Sequence, residues 1–130
     1  MTSRIAALAV DAHDPARLAD FWCQVLGWVV HDHDEDGFVT IAPSGARPDA
    51  GDPSIDFAPV PEPKTVKNRL HLDLRADGTS RDEELERLLA LGARHADVGQ
   101  GPDVSWVVLA DPEGNEFCLL SRTVQEARRG

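Results

Sequence analysis

The chain has 130 residues, 42% of them hydrophobic, with 23 acidic against 13 basic side chains and a formal net charge of −10. That length suits one domain, and the composition suits a folded globule, not a disordered or fibrous chain. The negative balance argues against nucleic acid or an anionic membrane surface as partner, because both would repel it.

In chain order, a first strand is predicted at about 4–10. Asp14-Pro15 then opens a helix over 15–26, with Asp as N-cap and Pro at the first helical position, where its missing N–H costs nothing. Leu18, Phe21, Trp22, Val25 and Leu26 recur at helical spacing, and Gly27 supplies the stop. Strands follow near 28–32, 37–42 and 54–60. The run HDHDED, with His31 and His33, has the composition of a metal patch, but a solvated hairpin tip explains it more cheaply. PSGARPDAGDP, residues 43–53, is the longest stretch without a structural signal, a lid or a slack hairpin loop. Pro59-Val60-Pro61-Glu62-Pro63-Lys64 reads as a stiff, extended linker.

A second series repeats the first. A strand is predicted at 69–75 and a helix at 81–91, opened by the capping-box pattern Ser80-Arg81-Asp82-Glu83 and closed by Gly92, with Leu85, Leu88 and Leu89 as its apolar stripe. Strands are then expected near 94–97, 104–110 and 115–121. Asp111-Pro112-Glu113-Gly114 has the chemistry of a type I turn joining the last two. Leu26-Gly27 and Leu91-Gly92 end the two helices 65 positions apart. The chain is therefore read as α+β, with module one at about 3–60, a linker at 59–68, module two at about 69–122 and a solvated basic tail at 123–130. The N-terminus MTSRIAALAV lacks the order of a signal peptide, and no apolar run approaches the ~18 residues of a membrane span. Two thiols, Cys23 and Cys118, fit a reducing cytoplasm better than a disulfide framework.

Strand alternation sorts the faces. Leu70, Leu72 and Leu74 should point onto the helices, leaving His71, Asp73 and Arg75 opposite. Ile55 and Phe57 should be buried, with Ser54, Asp56 and Ala58 on the other side, and Glu116 and Cys118 should oppose Phe117 and Leu119. If each apolar face covers its helix, the polar faces line one concave surface, and Asp56, His71, Asp73, Arg75, Glu116 and Cys118 converge on it.

Three strings carry a resemblance: DPARLADFWCQVLGW, FAPVPEPKTVKNRLHLDL and LADPEGNEFCLL, in that order and at these separations. Together they resemble the vicinal oxygen chelate superfamily of glyoxalase, bleomycin-resistance and extradiol-dioxygenase proteins, and look most like its glyoxalase-like branch common in actinobacteria. The resemblance implies two tandem βαβββ modules forming an open, curved eight-stranded mixed sheet around a cavity, with helices on the outer faces, and it implies a homodimer. It also implies a divalent ion held by residues from the first and last strand of each module, where it grips two neighbouring substrate oxygens. By that pattern His71 matches the opening-strand ligand of module two, Cys118 its closing-strand carboxylate and Asp56 the closing-strand partner in module one. The fourth ligand would lie at Ile5, Ala6 or Ala7, and none of these has a donor atom. Asp56, His71 and Cys118 would suit Zn²⁺ with an open position better than Mg²⁺ or Mn²⁺.

No cofactor is certain from these residues. His71 could act as a general base oriented by Asp73, or the two could simply complete a polar strand face. Cys118 could be a ligand or an inert buried thiol. Arg75 could bind an anion or pair with Asp73, and Glu116 could contact a ligand or solvate the strand end. Trp28 and Trp106, placed on strands, could wall an aromatic pocket. The leading expectation is a small-molecule binding protein that holds an antibiotic or metabolite between its modules without needing a metal. The alternative is a lyase or isomerase, metal-dependent or His-based, acting on a vicinal oxygen substrate. A third reading is a structural module that has lost its site.

Overall fold

A computed structural model of the chain describes residues 1–97 and 106–130, in two compact units, 1–63 and 64–130. The first unit begins with β1 (Ala7–Ala12) and α1 (Pro15–Leu26). The Asp14 carboxylate accepts the Arg17 amide at 3.3 Å, and Gly27 closes the helix at φ 69°, a left-handed conformation costly to a residue with a Cβ. Leu18, Ala19, Phe21, Trp22 and Val25 form the buried stripe of α1. The rings of Phe21 and Trp22 meet edge to face, 5.3 Å apart. This stripe packs on β3 (Val39–Ala42) and β4 (Ser54–Pro59), where Ile41 and Phe57 are fully buried. Each such side chain contributes roughly 1.5–3 kcal/mol of burial.

β2 (Val29–His33) pairs antiparallel with β3, β3 antiparallel with β4, and β4 parallel with β1, giving the order β1-β4-β3-β2. The β2–β3 tip is closed by the Asp34 side chain, which accepts the amides of Asp36 at 2.9 Å and Phe38 at 3.1 Å. His31, His33 and the acidic residues beside them are all exposed, so HDHDED is a solvated hairpin tip. Residues 43–53 are not structureless: a single 3₁₀ turn at Pro48–Ala50 is locked by the Asp52 carboxylate on the Arg47 amide at 2.7 Å.

The second unit repeats this order as β5-β8-β7-β6. Its elements are β5 (Asp73–Leu74), α2 (Arg81–Leu91), β6 (Arg94–His95), β7 (Val107–Ala110), β8 (Glu116–Leu119) and α3 (Val124–Arg128). The eight strands thus form two four-stranded mixed sheets, one in each unit, in an α+β chain. The strand expected at 104–110 starts at Val107, and positions 104 and 105 lie outside the described residues. Leu88, Leu109, Phe117 and Leu119 are the most deeply buried apolar side chains of this unit.

Four details depart from expectation. β5 spans two residues, not seven, and Leu70 is 81% exposed instead of facing a helix. Pairing with the last strand reaches back only to the Leu72 carbonyl, which accepts the Cys118 amide at 2.9 Å, while the chain before it is held elsewhere, through Asn68. Ser80 accepts the Glu83 amide at 3.1 Å, but the Glu83 carboxylate takes the Thr79 hydroxyl, at 2.7 Å, so the capping box is only half made. Glu84, on the buried side of α2, is tied to Arg87 by two bonds of 2.7 and 2.8 Å. The basic tail is not loose: Thr123 and Glu126 form a full capping box for α3, and the Val124 amide donates to the Ala76 carbonyl at 2.8 Å. Among the described residues, no helix is long and apolar enough to cross a membrane.

Candidate functional site

The turn before β8 sets the register of everything that follows it. Asp111 is buried, and its Oδ1 accepts the amides of Glu113 and Asn115, each at 2.9 Å. The Gly114 amide returns to the Asp111 carbonyl at 2.8 Å. β8 therefore starts in a fixed phase, with Phe117 and Leu119 in the core and Glu116 and Cys118 on the other face. Parallel pairing then sets Cys118 beside Asp73, and Leu119 beside Leu74. His71 lies two residues before Asp73, just ahead of β5.

One donor atom each from His71, Asp73 and Cys118 lies within 4.8 Å of the other two. His71 Nδ1 and Asp73 Oδ1 are 3.4 Å apart, on side chains 41% and 52% exposed. Cys118 is 6% exposed. Its burial, then the charge of Asp73 and a hydrogen bond with it, push the thiol pKa up, against a smaller pull from Lys67. The resting group is therefore a protonated thiol and not a ready nucleophile. The donor chemistry is mixed nitrogen, oxygen and sulfur. That set suits Zn²⁺ and suits a hard ion such as Mn²⁺ poorly.

The other residues singled out from the sequence have separate occupations. Glu116 accepts Lys64 Nζ at 2.8 Å on one carboxylate oxygen and the Asn68 amide at 3.0 Å on the other. Burial raises the Glu116 pKa, but the Asn68 amide and the Lys64 ammonium outweigh it and hold the group low. Glu116 thus straps the 64–68 segment onto β8, a role that neither lysine nor asparagine advertises in the sequence. Arg75 donates to the Arg122 carbonyl at 2.9 Å and is not paired with Asp73. Trp28 stands one residue before β2, its amide donating to the Cys23 carbonyl at 3.0 Å as part of the helix cap, so it is off the strand. Trp106, 40% exposed, likewise precedes β7 by one residue.

Asp56 lies on β4 in the first unit, where its Oδ1 accepts the Ser54 hydroxyl at 3.2 Å. Its β1 partner is Ala9. With Asp56 set against Cys118, Ala9 stands against Asp73, and Ala7 falls at the place of His71. Ala12 and Ala76, each 1% exposed, match in the same alignment. In that alignment it is Ala7, of Ile5, Ala6 and Ala7, that stands where His71 does, and its side chain has no donor. Asp73 was legible as a partner of His71; its place as the third donor beside Cys118 required the parallel register.

Two tandem units of one strand order, with a donor cluster beside the paired opening and closing strands of the second, define a protein of the glyoxalase type. The chain belongs to the glyoxalase-like domain family, whose model matches residues 7–120. No curated protein matches the sequence. Solved structures do share the fold. A mutant of FosX, a fosfomycin resistance protein from Listeria monocytogenes in complex with Mn(II) and 1S,2S-dihydroxypropylphosphonic acid, aligns over 97% of this chain and 95% of its own, at TM-score 0.67 and 15% identity. A glyoxalase/bleomycin resistance protein/dioxygenase family enzyme from Burkholderia phytofirmans PsJN aligns over 90% and 97%, at TM-score 0.64 and 18% identity. TnmS3, an antibiotic binding protein from Streptomyces sp. CB03234, aligns over 94% and 98%, at TM-score 0.54 and 19% identity.

Proposed function

We propose that the chain is a small-molecule binding protein that sequesters an antibiotic or metabolite against the His71, Asp73 and Cys118 face of β5 and β8. The observation that carries this reading is the cluster itself: three polar groups of different chemistry within 4.8 Å, two of them open to solvent. Such convergence of polar groups on a half-open surface is what a ligand needs for orientation. The β1 positions that correspond to His71 and Asp73 are Ala7 and Ala9. Neither of these two positions carries a donor, which favours binding over the superfamily's four-ligand chemistry. FosX and TnmS3, whose names declare antibiotic resistance and antibiotic binding, support the same reading. A reducing cytoplasm, in which Cys23 and Cys118 stay thiols, and a second copy of the chain as partner belong to this proposal.

A second reading rests on the 3.4 Å approach of His71 Nδ1 to Asp73. A carboxylate there favours a proton on Nδ1 and leaves Nε2 as a base for a proton next to a carbonyl, as a lyase or isomerase requires.

The test is a thermal-unfolding screen of the native chain, with chelator present, against antibiotics and small metabolites. A ligand at a hundred times its dissociation constant stabilises a single-site protein by about 2.7 kcal/mol. The proposal expects at least one such compound, with the gain lost in His71→Ala. A panel without effect, or an equal gain in the variant, would contradict it. Conversion of the bound compound by the native chain alone would favour the second reading.

A further inference from the structure

We infer that residues 64–72 are a latch with two exclusive states: strapped by Glu116, as the structure has them, or zipped onto β8 as a longer β5. The first unit supplies the template for the zipped state. With Asp56 set against Cys118, the ladder of β1 on β4 corresponds to residues 71–76 against 116–121. In the first unit the Ser54 amide donates to the Ala6 carbonyl at 3.3 Å, the bond that Glu116 and Leu70 would make in the second. Among the described residues, the Leu70 carbonyl accepts no such bond. The chain bends at Arg69 and Leu70, and the ladder begins only at the Leu72 carbonyl.

The residue that holds the segment away is the one the longer ladder would use. Glu116 takes Lys64 Nζ at 2.8 Å and the Asn68 amide at 3.0 Å, and the Asn68 carboxamide donates to Asn115 Oδ1 at 3.1 Å. An extended chain rises about 3.3 Å per residue, so a zipped Leu70 carries the Asn68 amide level with Gly114, past the start of β8. The two sets of bonds therefore exclude each other. Three side-chain bonds stand against ladder bonds and apolar cover, terms of similar size. RLHLDLR alternates as a strand throughout, and Leu70, 81% exposed, would join the face of half-buried Leu72 and Leu74. A strand-forming sequence held off its partner by side chains has two packings of similar energy.

The latch bears on the binding face because His71 lies between strap and ladder. Strapped, it precedes β5, with Nδ1 3.4 Å from Asp73. Zipped, it takes a ladder position beside Glu116, two residues from Asp73 on one strand face. What the latch serves rests on the binding proposal, but its two states need no ligand to be seen.

The experiment compares amide hydrogen exchange and backbone chemical shifts of the labelled full chain, native and Glu116→Ala, without ligand. In the native chain we expect a protected Asn68 amide and no strand shifts over 70–72. In the variant the Asn68 amide should lose protection by roughly tenfold, the loss of about one hydrogen bond. Residues 70–72 should then take strand shifts, and the amides at positions 72 and 116 should gain protection. Lys64→Met removes one of the strap's bonds and keeps the Asn68 amide on Glu116, so its shifts should fall between the other two. That variant carries the test if Glu116→Ala does not fold. Loss of Asn68 protection with 70–72 still irregular would leave a plain strap and overturn the inference, as would unchanged shifts in both variants. Strand shifts in the variants of a chain that binds no compound would sink the binding proposal alone.

Discussion

Glu116 faces the same way as Cys118 along β8, yet the two side chains serve opposite purposes. Both Glu116 oxygens are spent on Lys64 and Asn68, in an ion pair whose side chains are only 18% and 13% exposed. Replacing it by Gln leaves Lys64 without its counter-charge and should cost about 1–3 kcal/mol at neutral pH. Because the folded pKa is lowered below the ordinary carboxylate value of 4.5, this contribution is present above that pH and is lost as pH falls through the lowered value. Urea unfolding of the native chain and Glu116→Gln should therefore differ at pH 7 and converge in acid; a gap independent of pH would refute the strap. Cys118 is a protonated, buried thiol. Iodoacetamide at neutral pH should label it slowly in the folded chain and readily in urea, as mass spectrometry of the modified peptide would show.

At the scale of elements, the helices were legible because their ends are written locally. Asp14 with Pro15, Ser80 with Glu83, and the glycines after each helix mark α1 and α2 where the structure has them. Gly27→Ala forces a Cβ into φ 69° and should destabilise by about 1–2 kcal/mol, readable as a lowered urea midpoint. An unchanged midpoint would mean that α1 can end another way. β5 was less legible. The alternation RLHLDLR satisfies a strand over its full length, but only its end finds a partner, because the preceding segment is drawn to Glu116 through bonds across 48 and 52 positions. No local pattern encodes that competition. α3 was legible in principle: Thr123 and Glu126 spell a capping box, but the surrounding arginines suggested a solvated tail.

At the scale of the molecule, the internal repeat made the architecture readable, since each unit follows the same strand order. The site was readable only in part. Alternation grouped His71 with Asp73, while the place of Asp73 beside Cys118 depended on register, which alternation does not fix. β2 lies at a sheet edge, and its first two residues, Val29 and Val30, are 46% and 49% exposed, an apolar stretch of the kind that pairs with another copy. The proposed homodimer should therefore appear in sedimentation of the native chain and be lost in Val30→Lys; a native monomer, or a dimer indifferent to that charge, would contradict it. The most direct test of the binding proposal is amide chemical-shift mapping of the labelled chain with a compound from the thermal screen, chelator present. The signals of residues 71–75 and of Cys118 should shift and saturate together. Shifts confined to other residues, with these unmoved, would contradict it.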